Sequence, residues 1–519
     1  MSRHREHWGS TFGFIMASAG SAIGLGNVWK FPYITGMNGG GAFVLIYLLC
    51  VLAVGLPVML AELAIGRASQ SDTIGAFSYF ARKESIVPKV FSGYGLGLAT
   101  FLICTGSIGL GVVLAILSLL IWRFGWKIAG VSSVLVALVI LSYYAMIGGW
   151  FFIYFWKAIT GQLRFTAVED AEKMFVNVAS NGNLTAVFTI LFLLICAVVC
   201  WYGVRKGLET ASKVMMPLLL VLIVILVARG LTLEGSFKGV EFFLAPNFDK
   251  LTTHGVLEAM GHSFYTLSLG MGIVVTYGSY LPKNRNLLSS ALWVACLDTC
   301  MAMLAGLAIF PAVFATGMQP GAGPGLIFNI LPVTFQTIPG NLSPLWNGMF
   351  FFLMLIAALT SGMSLLEVGI STCMTQWKMS RRKAVILLTI GISLLSLLSS
   401  YSNLSWKTLG GLQDFIVYAF GSARCSCFDL IDYICSNWVL PLNGLFSALY
   451  VGWIWGAGKA VRELYRQGSG VRMNAYEKTE ELKTLLLRRV PVRSWAFFIL
   501  FVSPILVFIA FLFAAGFFS

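Results

Sequence analysis

The stretch Ser18-Ala-Gly-Ser-Ala-Ile-Gly-Leu-Gly-Asn27 interrupts an otherwise apolar segment over residues 12–35. That segment is long enough to cross a bilayer, since about 20 apolar residues cover the hydrocarbon core. Gly20, Gly24 and Gly26 lie in its middle, where glycine weakens a helix. Unwound backbone in a bilayer is tolerated only where it lines a protein cavity, because bare N–H and C=O groups are costly in hydrocarbon. The stretch therefore predicts a broken membrane helix beside a cavity.

A second apolar segment carries a matching interruption, Ser268-Leu-Gly-Met-Gly272. It has the same pattern as Ala22-Ile-Gly-Leu-Gly26, with apolar residues between paired glycines. Interrupted helices in corresponding places of two chain halves are the best sequence indication of a transporter's midplane binding site. We therefore expect the two interruptions to face one another across one small chamber.

The composition places the chain in a membrane. Its 519 residues are 58% hydrophobic and only 11% charged, and the mean hydropathy is +0.85. A soluble globular protein is nearer half apolar and a quarter charged. The net charge of +14 comes from Lys and Arg residues spread between apolar segments, so it does not indicate a nucleic-acid partner.

Eleven apolar segments are long enough to be membrane spans, which predicts an all-α integral membrane protein. Lys and Arg concentrate in alternate connections, so the positive-inside rule places the N-terminus of this multi-pass protein in the cytoplasm. The apolar segment 91–122 has basic residues at both ends, and a hairpin or a re-entrant insertion preserves the charge pattern. The predicted spans are 11–36 (broken), 42–66, 131–159, 184–201, 208–230, 256–281 (broken), 287–315, 343–375, 384–400, 428–456 and 495–517.

Several oxygen-bearing side chains lie beside the interruptions and suit an alkali cation. Hard cations prefer oxygen ligands, and unwound carbonyls attract cations whereas the positive ends of half-helices attract anions. The alternative for each hydroxyl is a hydrogen bond within its own helix. Intramembrane carboxylates are expensive and usually functional, which singles out Glu62, Asp298 and Glu367. The candidate cation ligands are Asn27, Thr266, Ser268, Asp298, Thr360 and Ser361.

Seven motifs carry a resemblance to a known family. They are Arg5-Glu-His-Trp8, Gly24-Leu-Gly-Asn-Val-Trp-Lys-Phe-Pro32, Asn38-Gly-Gly-Gly-Ala-Phe43, Tyr143-Tyr144, Ser212-Lys-Val-Met-Met-Pro217, Phe264-Tyr-Thr-Leu-Ser-Leu-Gly270 and Asp429-Leu-Ile-Asp-Tyr433. With them the chain resembles the neurotransmitter:sodium symporters, in particular the bacterial members that transport leucine and other hydrophobic amino acids. The resemblance covers nearly the whole chain except about 85–128 and 405–426.

The resemblance implies an inverted five-helix repeat (5+5) with broken first and sixth spans. Residues 11–230 would form the first repeat, with the apolar insertion near 91–122, and residues 256–456 the second. Residues 1–10 would be a cytoplasmic N-terminus, 459–494 a cytoplasmic connection and 495–517 the last transmembrane helix.

The resemblance also implies two sodium sites and no organic cofactor. The first sodium site would use the carbonyl of Ala22 with Asn27, Thr266, Asp298 and the substrate carboxylate. The second would use carbonyls of Gly20, Ile23 and Ala357 with the hydroxyls of Thr360 and Ser361.

The implied substrate site is an amino-acid pocket at the two interruptions. Tyr144 would bind the substrate carboxylate together with the amides of Leu25 and Gly26. Lys30 and Asp432 would form an outer gate, and Arg5 and Trp8 belong to an inner one. The remaining implied lining residues are Ala22, Gly24, Ile140, Tyr265, Thr266, Ser268, Met271, Ser361 and Leu365.

Departures from the family pattern refine these expectations. Monoamine members carry an acid where this chain has Gly24, so an amino acid is the expected substrate. Ala302 replaces a chloride-coordinating hydroxyl and Asp298 replaces the usual Asn and supplies a negative charge, so chloride independence is expected. His262 replaces the usual Gln, either as a neutral hydrogen-bonding group or as a proton carrier, because imidazole changes charge near neutral pH.

Two further departures concern closure and substrate size. Thr375 replaces the acid expected to face Arg5, which would weaken the inner closure unless Glu367 or Glu62 compensates. Met271 is flexible and polarizable, and Gly362 next to Ser361 would leave room in the pocket. Both favour a bulky neutral amino acid.

The sequence thus predicts a sodium-coupled symporter that imports a neutral, hydrophobic or aromatic amino acid by alternating access. No clustered nucleophile, base or metal-binding motif indicates an enzyme. The expected partners are the amino acid, sodium ions and the lipid bilayer, and the oligomeric state stays open. The alternatives are a proton-coupled amino-acid transporter of the same fold and, as a weaker rival, a channel.

Overall fold

The structure is a computed structural model. It describes residues 6–80, 115, 119, 125–165, 167–317, 325–337, 342–402, 427–465 and 490–514. Arg5 of the predicted inner gate lies outside these residues, and so does the segment 91–122 apart from Ala115 and Leu119.

The first half of the described chain is helical, and three π-helical turns continue into α-helices. These turns are Gly26–Lys30 before α2, Val51–Gly55 before α4 and Val204–Glu209 before α9. The helices are α1 (Thr11–Ala22), α2 (Phe31–Met37), α3 (Gly41–Cys50), α4 (Leu56–Ser69), α5 (Thr73–Tyr79), α6 (Lys127–Ile159), α7 (Val168–Ser180), α8 (Gly182–Trp201) and α9 (Thr210–Leu231).

The second half is built in the same way, with a short 3₁₀ turn at Phe248–Lys250. Its π-helical turns are Leu326–Ile330, Ile434–Val439, Tyr450–Gly456 and Phe498–Val502. The helices are α10 (Phe237–Leu244), α11 (Thr253–Thr266), α12 (Ile273–Ser279), α13 (Leu287–Ala315), α14 (Leu331–Thr337), α15 (Ser343–Gln376), α16 (Arg381–Ser402), α17 (Cys427–Tyr433), α18 (Leu440–Leu449), α19 (Ala457–Tyr465), α20 (Val490–Phe497) and α21 (Ser503–Ala514).

Within the described ranges, nine helical stretches are long and apolar enough to cross a membrane. A tenth is the pair formed by Thr11–Ala22 and Gly26–Met37, which is bent by 48° at the first interruption. The helices α11 and α12 lie on either side of the second interruption and occupy the predicted segment 256–281. Each of the eleven predicted segments therefore contains helix, and the prediction of an all-α membrane protein is confirmed.

The interrupted helices pack against the most enclosed span, α15. This helix lies along α6 and also contacts α1 and α12. Nearly all of its residues from Phe350 to Cys373 are buried. Its middle, which contains Thr360 and Ser361, is thereby held against α1.

Polar clusters mark two opposite faces of the helical bundle. We call one the N-terminal face, where Glu6 pairs with Arg381 and Arg67 pairs with Glu463. We call the other the distal face, where Lys30 pairs with Asp432. The first span runs from one face to the other, since α1 starts at Thr11 with Ser10 as its N-cap and α2 ends at Met37.

Candidate substrate and ion site

The first interruption turns the chain out of helical geometry at one residue. Ile23 is extended (φ −75°, ψ 90°), and its amide closes α1 by donating to the Ala19 carbonyl at 2.7 Å. The carbonyls of a helix's last turn have no partner four residues further on, so they are left for other donors or for ions. The predicted carbonyl ligands Gly20, Ala22 and Ile23 all lie in this turn.

The second interruption, Leu267–Gly272, contains three residues with positive φ. These are Ser268 (54°), Gly270 (73°) and Gly272 (72°). Glycine is required at 270 for a second reason, because a Cβ there would lie 2.7 Å from the Leu440 carbonyl oxygen. The glycine spacing in the sequence therefore predicts this break correctly.

The two interruptions meet at the carbonyl oxygen of Ser21. This oxygen accepts a hydrogen bond from the Ser268 hydroxyl at 3.0 Å and another from the Ser361 hydroxyl at 3.1 Å. The first break, the second break and α15 are thus joined at one atom. We had not predicted a role for Ser21, although it lies inside the deciding stretch.

The residues predicted for the first sodium site come together. The Asn27 side-chain amide donates to the Asp298 carboxylate at 2.8 Å and to its carbonyl at 2.9 Å. These bonds turn the Asn27 oxygen toward the first interruption, where it is 3.4 Å from the Gly24 amide. The Thr266 hydroxyl lies 3.2 Å from the Tyr47 hydroxyl.

One oxygen of this cluster has no partner. Asp298 is fully buried, and its Oδ2 atom makes no hydrogen bond within the described part of the chain. An ionised carboxylate in such a place is very costly unless a proton or a cation compensates it. The atoms around it that could coordinate an ion are oxygens. The residues present therefore fit a hard cation such as sodium.

The second predicted sodium site is also brought together. A Cβ at Gly20 would lie 3.3 Å from the Thr360 Cβ, so the first break touches α15 there. Thr360 donates to the Ala357 carbonyl at 3.0 Å. Thr266 likewise donates to the His262 carbonyl at 3.2 Å. A hydroxyl that donates one bond keeps lone pairs for an ion, so bonding within the helix and ligation are compatible.

The predicted substrate pocket borders the first interruption. A Cβ at Gly24 would lie 2.5 Å from the Ser361 hydroxyl and 3.1 Å from the Tyr144 hydroxyl, so a side chain there has no space. The Tyr144 hydroxyl faces the Leu25 amide and Ser361 without good hydrogen-bond geometry. A Cβ at Gly26 would lie 3.1 Å from the Tyr265 ring.

Three apolar lining residues are buried around this point. Ile140 lies one turn before Tyr144 on α6, and Leu365 lies one turn after Ser361 on α15, so each shares a helix face with its neighbour. Met271 is buried within the second interruption.

The expectation that Gly362 leaves room in the pocket is wrong. A Cβ at this position would lie 3.0 Å from the Phe192 ring and 3.1 Å from the Cys196 sulfur. The residue therefore faces α8 and permits close helix packing there.

The predicted outer-gate residues meet on the distal face. Lys30 Nζ lies 3.9 Å from Asp432 Oδ2 and 4.8 Å from the centre of the Tyr265 ring. The other carboxylate oxygen of Asp432 accepts hydrogen bonds from Tyr143 and Ser436, both at 2.9 Å. Tyr143 and Ser436 were not predicted, although Tyr143 stands in a quoted motif and Ser436 lies one helical turn from Asp432.

The acid expected at position 375 is missing, and other charged residues close the N-terminal face. Thr375 donates within its own helix to the Ser371 carbonyl at 2.8 Å. Arg381 binds both oxygens of Glu367 at 2.8 Å and binds Glu6 at 2.9 Å. The indole of Trp8 donates to the Tyr277 carbonyl at 3.1 Å. Of the two acids considered as replacements, Glu367 lies in this cluster and Glu62 does not.

His262 is buried in an aromatic setting. Its ring stacks on Phe31 with centroids 5.9 Å apart and lies 5.5 Å from Tyr47. Neither ring nitrogen has a hydrogen-bond partner in the described residues. His262 therefore lies between two aromatic rings, those of Phe31 and Tyr47.

Comparisons with known proteins identify relatives of this chain. The model of the sodium:neurotransmitter symporter family matches residues 5–116 and 168–516. An uncharacterized sodium-dependent transporter of Bacillus subtilis, YhdH, is 36% identical over 86% of this chain and 87% of its own length. Another from Haemophilus influenzae is 33% identical over 87% of this chain and 90% of its own length.

A solved structure extends the likeness to the fold. The crystal structure of MhsT in complex with L-phenylalanine is 35% identical, has a TM-score of 0.77, and matches over 98% of this chain and 100% of MhsT. MhsT has the inverted five-helix repeat, and this chain shares that fold. The chain is therefore a multi-span transporter and not an enzyme, and it belongs to the sodium:neurotransmitter symporter family.

Proposed function

We propose that the protein is a sodium-coupled symporter that imports a neutral, bulky hydrophobic or aromatic amino acid by alternating access, without need of chloride. Two observations carry the proposal: both interruptions join at the Ser21 carbonyl, and Asn27, which follows the first interruption, binds Asp298, whose second carboxylate oxygen has no hydrogen-bond partner in the described residues. This arrangement brings oxygen-bearing side chains to a point where two helices are already broken. Sodium use follows from the family, and the number of ions, two, belongs to the proposal.

Coupling would arise through a shared ligand. In the first sodium site the substrate carboxylate joins Ala22, Asn27, Thr266 and Asp298. Neither sodium nor substrate then binds well alone, so the coupling free energy between the two ligands is favourable. The second sodium site would hold α1 to α15 through Gly20, Ile23, Ala357, Thr360 and Ser361.

The energy of two ions is sufficient for concentrative uptake. Moving one charge across a membrane potential yields about 2.3 kcal/mol per 100 mV. Two sodium ions supply about 4.6 kcal/mol, and since about 1.4 kcal/mol corresponds to a factor of ten, this supports a substrate gradient of roughly a thousandfold.

An amino-acid substrate is supported by the crowding at Gly24. An amine without its own carboxylate would need an acidic side chain there, and Ser361 and Tyr144 leave no space for one. MhsT, which is 35% identical, is described in complex with L-phenylalanine. Met271 and Tyr265 would adapt to an apolar side chain of that size.

Chloride independence is supported by the chemistry of α13. Ala302, one turn from Asp298, is buried and has no group that coordinates an anion. The Asp298 carboxylate would supply the negative charge within the protein. We place the N-terminal face in the cytoplasm of a bacterial inner membrane, because Lys and Arg concentrate in connections on that side.

The decisive experiment measures uptake into proteoliposomes. Labelled phenylalanine, leucine, glycine and γ-aminobutyrate are compared with sodium or choline outside, and with chloride or gluconate. We expect sodium-dependent phenylalanine or leucine uptake that persists in gluconate, and trans-stimulated exchange. Uptake of all four without sodium would overturn the proposal, and absence of exchange would favour a channel.

A matched pair of variants tests the ion site. Asp298→Ala should weaken the apparent sodium affinity about 10- to 100-fold, because it removes a ligand and the group that orients Asn27. Cys300→Ala, on the exposed side of the same helix, should leave the affinity unchanged.

The proton-coupled alternative is favoured by one observation, the unpartnered ring of His262. If His262 carries the coupled proton, His262→Gln abolishes the pH dependence of uptake. If uptake by that variant keeps the wild-type pH dependence, the ring is a neutral spacer between Phe31 and Tyr47.

A further inference from the structure

Glu62 is a buried carboxylate that the sodium and substrate sites do not use. It lies on α4 and is 1% exposed. Its Oε1 atom accepts hydrogen bonds from the Gly270 amide at 3.0 Å and from the Ser447 hydroxyl at 2.9 Å. Its Oε2 atom has no hydrogen-bond partner within the described residues.

Asn443 holds the other side of the same glycine. Its side-chain amide donates to the Gly270 carbonyl at 2.9 Å. This bond uses the nitrogen of the side chain, and the Asn443 oxygen is buried without a donor in the described part of the structure. Glu62 and Asn443 therefore form hydrogen bonds to the peptide groups of Gly270 from two spans, and each keeps one acceptor oxygen without a donor in the described residues.

No cation compensates Glu62 within the described ranges, since none of the ion pairs found there includes it. Arg67 on the same helix pairs with Glu463. The helix α18 contributes no charged group. The other described helices packed against α4 carry these titratable groups: Tyr277 on α12, which donates to Ser364; Asp298 on α13, which binds Asn27, with the exposed Cys296 and Cys300 on the same helix; Lys459, Arg462 and Glu463 on α19; and Tyr79 on α5.

A single proton on Glu62 would address both the uncompensated buried charge and the acceptor oxygens that lack a donor. A protonated carboxyl is uncharged, so the cost of burying an isolated carboxylate disappears. The new O–H on Oε2 is a donor in a cluster that otherwise holds two acceptors without one, and Asn443 offers an acceptor. The bonds from Gly270 and Ser447 to Oε1 remain possible in the neutral form.

We infer that Glu62, Asn443 and Ser447 form a proton-binding site of this transporter, which holds one proton on Glu62 while the second interruption is closed as in this structure. The proton is taken from water and returned to water when the Gly270 contacts open and hydrate the carboxyl. Its part in transport, proton movement opposite to sodium, rests on the proposed function, whereas proton binding itself does not.

The first test needs no transport. The purified full-length protein in lipid is titrated while the C=O stretching band of protonated carboxyl groups is followed by infrared difference spectroscopy. We expect a titrating band in the wild type, separate from any band of the buried Asp298, that is absent in Glu62→Gln, which keeps the acceptor for Gly270 and Ser447 and adds a permanent donor. An unchanged set of bands in E62Q overturns the inference.

A second variant keeps the site testable if E62Q folds poorly. Asn443→Val removes the acceptor for the carboxyl proton and should move the midpoint of the Glu62 band to lower pH by about one unit, because the neutral form loses a hydrogen bond. A midpoint equal to that of the wild type overturns the pairing of Glu62 with Asn443. If the Glu62 band disappears when sodium is added at constant pH, the inference is also overturned, because the carboxylate would then bind the metal ion and not a proton.

The transport arm uses proteoliposomes with a trapped pH-sensitive dye. Addition of sodium and phenylalanine should move protons outward in the wild type and in His262→Gln, whereas E62Q should accumulate phenylalanine without that signal. Wild-type proton movement by E62Q contradicts the role in transport. If no amino acid is transported while the Glu62 band is present, the proposed function fails and the proton site stands.

Discussion

The two faces of the molecule are closed by different means. On the distal face one pair, Lys30 and Asp432, stands 3.9 Å apart with 28% of each side chain exposed. On the N-terminal face Arg381 is 10% exposed and makes two bonds of 2.8 Å to Glu367, which is fully buried. Arg67 and Glu463 form a second closely bonded pair there.

This difference teaches that one missing gate residue need not mean a weak gate. The acid expected at 375 is absent, and the sequence alone suggests a loose N-terminal face. In the structure the buried ion pairs close that face, and removing one partner of such a pair would leave a buried charge without compensation. The partly exposed pair of Lys30 and Asp432 on the distal face is screened by water and contributes little to the free energy of unfolding. We therefore expect the distal face to open more easily from this conformation.

Two native cysteines allow the opening of each face to be measured separately. Cys200 is buried beneath Arg381, which donates to its carbonyl at 3.0 Å. Cys435 is buried one turn from Asp432 on the distal side. The rate at which a small thiol reagent modifies each, followed by mass spectrometry, reports opening of that face.

The largest effect is expected for Arg381→Gln. It leaves the buried Glu367 carboxylate without its cation, at a cost of about 3–5 kcal/mol. The thermal midpoint in nanodiscs should fall and Cys200 should be modified faster, with Cys435 unaffected. The control is Arg382→Gln, whose guanidinium only stacks on Trp201. Equal behaviour of the two variants would contradict the assignment, and adding Glu367→Gln to R381Q should restore part of the loss.

A smaller effect is expected for Glu463→Gln. Arg67 is fully buried and also donates to the carbonyls of Glu463 and Arg285, which the variant retains. The loss should be about 1.5–3 kcal/mol, the range for hydrogen bonds to charged groups. The same change on the distal face, Glu258→Gln, neutralises a part-exposed carboxylate that accepts from Asn38 and lies 3.7 Å from His254, and it should cost less. A larger loss in E258Q would reverse the ranking of the faces.

The interruptions were accessible from sequence because their cause is local. Glycine spacing weakens the helix at both places, and the motif at 264–270 marks the second break. Asn27 and Asp298 were candidates because they carry oxygen atoms on apolar spans, and the resemblance put them in one site. Their contact could not be derived from residues 271 positions apart in sequence. The same holds for Arg381 and Glu6, which are joined only by the packing of the first span on the later ones.

The error at Gly362 was avoidable. Neighbouring residues on an α-helix point about 100° apart, so Ser361 and Gly362 cannot both face one pocket. Ser361 reaches the first interruption, and Gly362 accordingly faces Phe192. Glu62 differs, since its position on an apolar span marked it as unusual, but its partners come from the sixth and tenth spans.

On the distal face Tyr143→Phe removes one of two hydrogen bonds of 2.9 Å to Asp432. The Tyr143 hydroxyl donates at 2.9 Å to the oxygen that Ser436 also binds. The loss should be about 0.5–1.5 kcal/mol and should appear as faster Cys435 modification with Cys200 unchanged. Ser436→Ala serves as the matched control, because it removes one bond to the same atom. An increase at Cys200 instead would mean that Tyr143 acts on the whole bundle and not on the distal closure.

The smallest effect on stability is expected for Lys30→Gln. Its ion pair is long and half-exposed, and such pairs contribute about 0–1 kcal/mol, which salt reduces further. The thermal midpoint should hardly move, whereas Cys435 should react somewhat faster at low salt and equally at high salt. The cation also lies over the Tyr265 ring, so Lys30→Arg, which keeps the charge, should behave as the wild type. A loss in K30Q as large as that in R381Q would show that exposure does not rank the two faces, because an exposed pair would then carry as much closure as a buried one.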